Sequence, residues 1–196
     1  MTEGYSISSI NNNIKLAILH LPDYAVFTGL SAKRELEKSA TLFLLEKLFN
    51  KQVQLEYNAE GKPLLREEKC HISISHSHDK LVIICNTQCD TGVDVELVRD
   101  KVLKIKDKFL SDIELEEAKD NVEKLIIYWA AKETLYKVYG LKEVEFAKHL
   151  YVNPFELKAV GELIGEINLE SFRKKFNLHY EKLEDYMLVY VLDELK

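Results

Sequence analysis

The apolar residues along this chain repeat with two different periods, which predict two long helices among many short strands. Helical spacing predicts a helix over Lys33–Phe49, with Ser31 as its N-cap. The same spacing predicts a second helix over about Val122–Tyr139, which ends at Gly140. A serine followed three residues later by a glutamate is typical of a capping box and predicts a short helix over 111–119.

Alternating or continuous apolar runs predict the strands. These are Ile14–His20, Tyr24–Thr28, Gln52–Tyr57, His71–Ser77, Leu81–Asn86, Gly92–Glu96, His149–Val152, Glu156–Ala159, Leu163–Asn168, Asn177–Leu183 and Tyr186–Asp193, the last two joined as a hairpin at Glu184–Asp185. Residues Met1–Asn13 are polar and predict a loose start. Strands, helix and strands occur twice, so we expect an α+β fold of two halves, 1–97 and 98–196.

Composition and net charge limit the kinds of ligand that this protein is expected to bind. The apolar fraction of 46% and the charged fraction of 31% are those of a globular protein. The net charge of -6 argues against a general nucleic-acid or membrane-surface binder, so an anionic ligand would need a local basic patch or a metal ion. Three cysteines without a Cys-x-x-Cys pair, and no signal peptide or membrane-length apolar run, predict a cytoplasmic protein.

One face of the second long helix contains charged side chains, which a face that only packs against the core would not contain. Trp129, Lys132, Glu133, Tyr136 and Lys137 share this face, because their spacing is i, i+3, i+4, i+7 and i+8. The face places a carboxylate between two lysines beside an indole. We interpret Glu133 as a metal ligand and the lysines as contacts to an anionic substrate. Taken alone, Lys132 is more typical of a solvent-facing charge.

Two carboxylates on a predicted strand complete the candidate metal set. Asp94 and Glu96 alternate with valines and therefore share one strand face, about 6.6 Å apart along its axis. Together with Glu133 they suit Mg²⁺, which prefers oxygen ligands. By itself the strand pair is more typical of a solvated face, with Glu133 paired to Lys137, and the helix motif reverses that weighting.

Three further segments are candidates for binding anions or acidic partners. Ser75 and His76 lie where the predicted strand runs into a polar turn and offer hydroxyl and imidazole donors for a phosphate, although such a turn is often satisfied by its own serine side chains. Lys62 projects from a Gly-Lys-Pro turn, which alone is merely a turn. The basic run Arg99–Lys108 is either a solvated face or a docking surface for an acidic partner.

Four segments occur in a characteristic order. They are Gly61-Lys62-Pro63, Ile74-Ser75-His76-Ser77, Gly92-Val93-Asp94-Val95-Glu96 and Trp129–Lys137. Together, over about Lys33 to Lys142, the chain resembles the 4′-phosphopantetheinyl transferases of the Sfp type. The resemblance implies a pseudo-twofold α+β fold of two similar halves, with the active site in the cleft between them. It also implies transfer of 4′-phosphopantetheine from coenzyme A to a serine of an apo acyl or peptidyl carrier protein, with adenosine 3′,5′-bisphosphate released.

The resemblance also implies roles for individual residues. Mg²⁺ would be held by Asp94, Glu96 and Glu133, and Glu133 would help to deprotonate the serine, directly or through a bound water. Lys137 would contact the pyrophosphate and stabilise the charge that builds there.

Coenzyme A itself would be the co-substrate of this reaction. Its phosphates would contact Ser75, His76, Lys132 and Lys137, and Lys62 would reach the nucleotide end. Acidic carrier proteins would dock on the basic run, and a chain that contains both halves is expected to act as a monomer, with neither nucleic acid nor membrane as a partner.

The chain departs from the family in its first long helix. The family usually carries an arginine there that grips the 3′-phosphate of coenzyme A, whereas Glu37–Leu45 contains Lys38 but no arginine. Lys33, Arg34 or Lys38 are candidate substitutes. Two alternatives stay open: a Mg²⁺-dependent nuclease or phosphohydrolase, which the negative charge disfavours, and an inactive homologue that binds coenzyme A or carriers.

Overall fold

The computed structural model describes residues 4–196 and forms two compact units, Met1–Thr91 and Gly92–Lys196. The boundary lies earlier than the expected one after Leu97. The reason is that the strand Val93–Leu97 pairs with the last strand of the second unit. Strands and helices are mixed in both units, which agrees with the α+β class, and the pseudo-twofold relation stays a prediction.

The first unit is an antiparallel sheet with two helices and a small two-stranded sheet. Its elements are β1 Tyr5–Ser9, β2 Ile14–His20, α1 Leu21–Thr28, α2 Lys33–Phe49, β3 Leu55–Tyr57, β4 Pro63–Leu65, β5 His71–Ser77 and β6 Lys80–Asn86. The larger sheet has the order β1-β2-β6-β5, and β3 pairs with β4. Leu44 and Leu45 of α2 are buried with Leu81 and Ile83 of β6 in one apolar core.

The second unit is a five-stranded antiparallel sheet covered by a long helix. Its elements are β7 Val93–Leu97, α3 Asp112–Ala118, α4 Val122–Tyr139, α5 Phe146–His149, β8 Leu150–Val152, β9 Val160–Leu169, β10 Phe172–Leu183 and β11 Tyr186–Leu195, with 3₁₀ turns at Asp100–Lys104 and Lys106–Lys108. The sheet order is β7-β11-β10-β9-β8. Asp94 lies opposite Val189 and Glu96 opposite Met187 in the β7–β11 pairing.

Local capping signals predicted the helices well. Both long helices have the predicted bounds, and Gly140 ends α4 in the left-handed conformation with φ 68°. The capping box of Ser111 and Glu114 at the start of α3 is confirmed. The N-cap of α2 is Ala32 instead of Ser31, and no side chain caps that helix. The hairpin between β10 and β11 is confirmed.

Two predicted strands are wrong. Tyr24–Thr28 belongs to α1, because Pro22 fits the first helical turn and Gly29 ends the helix with φ 71°. Glu156–Ala159 is irregular. There the Tyr180 hydroxyl accepts from the Lys158 amide at 3.0 Å and donates to the Glu156 carbonyl at 3.1 Å, so a side chain satisfies these two backbone groups.

The predicted loose start is also wrong over Tyr5–Ser9, which pairs with β2. Met1–Glu3 lie outside the described residues. Cys70, Cys85 and Cys89 all lie within the described residues, and the structure shows no disulfide bond among them. Over the described residues, the helices are too short or too polar to cross a membrane.

Candidate active site

β7 and α4 approach each other closely because residue 92 is a glycine. A Cβ atom built on Gly92 would lie 2.2 Å from the carbonyl oxygen of Thr134, far inside van der Waals contact. The Thr134 hydroxyl donates to the Val189 carbonyl at 3.2 Å and so ties α4 to β11, the neighbour of β7. This close approach brings the carboxylates of β7 near Glu133, the residue before Thr134.

The alternation predicted for β7 is present. Val93 and Val95 are buried and belong to the apolar side, whereas Asp94 is buried on the other face with 4% exposure. Lys137 of α4 donates its ammonium to Asp94 Oδ1 at 2.7 Å and to the Val93 carbonyl at 2.9 Å. Lys137 therefore pairs with the strand carboxylate and connects α4 to β7.

Trp129 holds the second strand carboxylate. Its indole Nε1 donates to Glu96 Oε1 at 3.0 Å. The ring packs edge-on against Phe109 and is stacked on Phe146, with centroid distances of 5.0 Å and 5.7 Å. An aromatic cluster thus fixes the indole that in turn orients Glu96.

Glu133 lies among these charges and has an unusual acidity. Burial, together with the charges of Asp94 and Glu96, raises the pKa of its carboxyl to about 7 against the opposing effect of Lys137. A carboxyl with this pKa exchanges a proton near neutral pH, which is what a general base requires.

The three predicted metal ligands are therefore close enough to influence one another electrostatically. Within residues 4–196, however, no three His, Cys, Asp or Glu side chains form a group that could hold a metal ion. Asp94 and Glu96 instead make the hydrogen bonds with Lys137 and Trp129 described above. The donor chemistry itself fits Mg²⁺, because three repelling carboxylates gain from a hard divalent cation. The metal assignment stays a prediction.

A pocket of about 710 Å³ opens beside Glu133 within the second unit. Its apolar walls come from the 3₁₀ segment, from α4, and from α5 with the residues just before it: Ile105, Phe109, Trp129, Tyr136, Val144, Phe146 and Ala147. The charged side chains Lys108, Glu143 and Glu145 also line it. The sequence did not predict this pocket, because most of the lining residues lie in segments without a regular apolar period.

Lys132 does not join this group, contrary to the expected contact with coenzyme A. Its side chain is 0% exposed, and its ammonium donates to Glu114 Oε2 at 2.7 Å and to the Phe146 carbonyl at 3.1 Å. Burial lowers the pKa of this lysine, and Glu114 opposes that effect. Reaching a phosphate would require breaking a buried ion pair, so we remove Lys132 from the predicted anion contacts.

In the first unit, Lys62 forms an ion pair. Its ammonium donates to Asp90 Oδ1 at 2.9 Å, and His71 Nδ1 lies 3.0 Å from the same oxygen. Burial raises the pKa of Asp90, but Lys62 and His71 together outweigh it and leave that pKa below its ordinary value. Lys62 would have to share this carboxylate with any phosphate that it binds.

Ser75 and His76 lie on β5, and the predicted turn begins only after Ser77. Ser75 is buried, whereas His76 is exposed and its Nδ1 lies 3.7 Å from Glu37 Oε1 of α2. The two side chains point to opposite faces of the strand, as period-two alternation requires. Only His76 is thus accessible for an anion on its own side of the sheet.

The basic run Arg99–Lys108 forms the two 3₁₀ turns and is amphipathic, as predicted. Val102 is buried in the core, and Lys106 pairs with Asp120. Lys108 lines the pocket beside Glu133. Of the basic side chains in this run, Lys108 therefore lies at the candidate site.

Comparison with known families gives one match. A sequence model of the 4′-phosphopantetheinyl transferase superfamily matches residues 90–191, which is more than half of the chain. The match covers β7, α4 and the pocket beside Glu133. No curated protein sequence matches this chain. By the superfamily match, the chain belongs to the 4′-phosphopantetheinyl transferase superfamily.

Proposed function

We propose that this protein transfers 4′-phosphopantetheine from coenzyme A to a serine hydroxyl of an apo acyl or peptidyl carrier protein, as an Sfp-type holo-[acyl-carrier-protein] synthase. Membership of the superfamily supports phosphopantetheine transfer in general. The observation that carries the specific proposal is Glu133, whose pKa of about 7 arises beside Asp94 and Glu96 at the wall of an apolar pocket.

The proposed reaction joins the serine oxygen to the β-phosphorus of the coenzyme A pyrophosphate. The bond from that phosphorus to the bridging oxygen breaks, and adenosine 3′,5′-bisphosphate leaves. Glu133 accepts the serine proton, for which a pKa near the working pH is suitable. The Lys137 ammonium, already held at the carboxylates, offsets the charge that develops on the leaving phosphate.

Asp94, Glu96 and Glu133 are the proposed Mg²⁺ ligands. When bound, Mg²⁺ would neutralise negative charge on the pyrophosphate. Trp129 orients the Glu96 carboxylate, since its indole donates to Oε1 of that group. Lys137 fixes Asp94 in the same manner.

The pocket beside Glu133 suits the pantetheine arm. This arm is uncharged and largely aliphatic, and the pocket walls are mostly apolar and aromatic. Seating the arm there would bring its phosphate end toward Glu133 and Lys137.

In the first unit, Lys62, Ser75 and His76 stay the proposed contacts to the phosphates of coenzyme A. The exposure of His76 supports its role, whereas the burial of Ser75 leaves it a weaker candidate. The hydrogen bond to Asp90 positions the Lys62 ammonium. The acidic carrier would dock on Arg99–Lys108, where complementary charge would speed association. A cytoplasmic monomer is the proposed working form.

Mass spectrometry tests the proposal directly. The protein is incubated with coenzyme A, Mg²⁺ and a panel of apo acyl and peptidyl carrier proteins. We expect at least one carrier to gain the mass of phosphopantetheine at its serine, while the same carrier with that serine changed to alanine gains nothing. If an unrelated active transferase modifies every carrier and this protein modifies none, the proposed function is wrong.

A further inference from the structure

A buried ion pair between α4 and α3 contacts Phe146, a residue that lines the pocket. Its members, Lys132 and Glu114, have side-chain exposures of 0% and 1%. Both ions make several hydrogen bonds. Glu114 accepts from the Ser111 amide at 2.8 Å, the Ser111 hydroxyl at 2.9 Å and the Val152 amide at 2.9 Å. The lysine makes the two contacts given above.

The pair joins four elements at one point. Ser111 and Glu114 belong to the start of α3, Lys132 to α4 and Val152 to β8, and the Phe146 carbonyl begins α5. Hydrogen bonding of this kind is what makes a buried charge tolerable. It also fixes the relative positions of these elements, because each bond has a defined direction.

The bond to Phe146 has a consequence for the pocket. The Phe146 ring lines the pocket and contacts Trp129 and Tyr136, with centroid distances of 5.7 Å and 5.5 Å. α5 has four residues and follows an irregular segment in which Glu143 has a positive φ of 73°. Lys132 therefore anchors, through a backbone carbonyl, a short element that forms one wall of the pocket.

We infer that Lys132 is a positioning residue that holds α5 and the Phe146 ring as a wall of the pocket beside Glu133, instead of touching the substrate. Its effect on catalysis rests on the proposed function. Its effect on the pocket wall does not, because it follows from the contacts alone.

The test uses Lys132→Met together with Lys132→Met/Glu114→Gln. Methionine keeps the length of the lysine side chain, and the double variant removes both charges, so that no unpaired charge stays buried. Trp129 is the only tryptophan in the chain, so acrylamide quenching of its fluorescence reports on the pocket wall. We expect clearly stronger quenching in the double variant while its circular dichroism stays that of the wild type.

Transfer kinetics give the second readout. We expect kcat to fall by about 10²-fold, since displacement of a binding wall by roughly 1 Å costs this much. Inhibition by adenosine 3′,5′-bisphosphate should be unchanged, because this nucleotide lacks the pantetheine arm. The matched control is Lys124→Met, which breaks another ion pair between α4 and α3, with Glu117. It should keep wild-type quenching and kcat.

Each outcome decides the inference. Unchanged Trp129 quenching in the double variant would show that Lys132 does not hold the wall. A loss of adenosine 3′,5′-bisphosphate affinity as large as the loss of kcat would make Lys132 a substrate contact. If the wild type transfers nothing, the proposed function fails, but stronger quenching in the double variant would still support the positioning role.

Discussion

Replacing Gly92 by alanine tests whether the close approach of β7 and α4 builds the candidate site. The new Cβ would lie 2.2 Å from the Thr134 carbonyl oxygen, and ordinary van der Waals contact begins at 3.4 Å, so the two backbones must separate by about 1.2 Å. Neither partner can move aside easily. The atom that is hit belongs to the backbone of a buried helix, and Gly92 leads directly into a paired strand.

The expected loss of stability is large for a single methyl group. Overpacking of this kind costs about 3 kcal/mol, at the upper end of the usual range. For a chain of this size, that loss lowers Tm by roughly 6–12 °C. Because the strand acids and Glu133 would move apart by about the same distance, kcat should also fall by about 10²-fold.

A second glycine supplies the control. A Cβ atom on Gly165 would lie 2.9 Å from Leu135 Cδ1, which is also on α4, but this atom ends a flexible side chain that can rotate away. We expect Gly165→Ala to cost at most about 1 kcal/mol and to leave kcat unchanged. Thermal unfolding and the carrier assay are measured on both variants. Equal effects of the two substitutions, or a wild-type Tm and kcat for Gly92→Ala, would refute the reasoning.

Three other predictions concern single side chains. The folded pKa of Glu133, about 7, lies above its ordinary value of 4.5, so its contribution to stability is full below about pH 4.5 and is lost as pH rises through 7. In EDTA, Glu133→Gln should therefore gain Tm relative to the wild type between pH 5 and pH 8, and a constant difference would contradict this shift. Asp94→Asn should reduce transfer by about 10²-fold or more while circular dichroism stays unchanged, and calorimetry should detect weaker Mg²⁺ binding; full activity would remove Asp94 from the metal set. Since Glu37 lies 3.7 Å from His76, it should repel a coenzyme A phosphate there, and Glu37→Gln should lower KM for coenzyme A; an unchanged KM would show that His76 does not contact a phosphate of coenzyme A.

The elements that the sequence predicted best are those with local signals. Capping residues and a left-handed glycine define α3 and the end of α4, and alternation alone places Asp94 on the face opposite two valines. The helix α1 was missed although Pro22 and Gly29 both signal it, because the apolar residues between them also fit a strand.

The parts that could not be predicted depend on partners distant in the chain. Helical spacing places Lys132 and Glu133 near the same face. It cannot predict that Glu114, 18 residues earlier, forms an ion pair with Lys132 at the edge of that face. The hydrogen bond from Trp129 to Glu96 spans 33 residues and could not be predicted from the sequence either. Long-range pairing thus decides which of two adjacent charged residues faces the pocket.

The pairing of β7 with β11 limits how this protein can change in length. Asp94 and Glu96 face Val189 and Met187 across that ladder. Because side chains alternate along a strand, a slip of one residue would exchange the two acids with the valines beside them and drive both carboxylates into the apolar interior. Insertions in the turn at Glu184–Asp185 are therefore tolerable, whereas one extra residue between Val93 and Asp94 of β7 would dismantle the site without altering any residue that forms it.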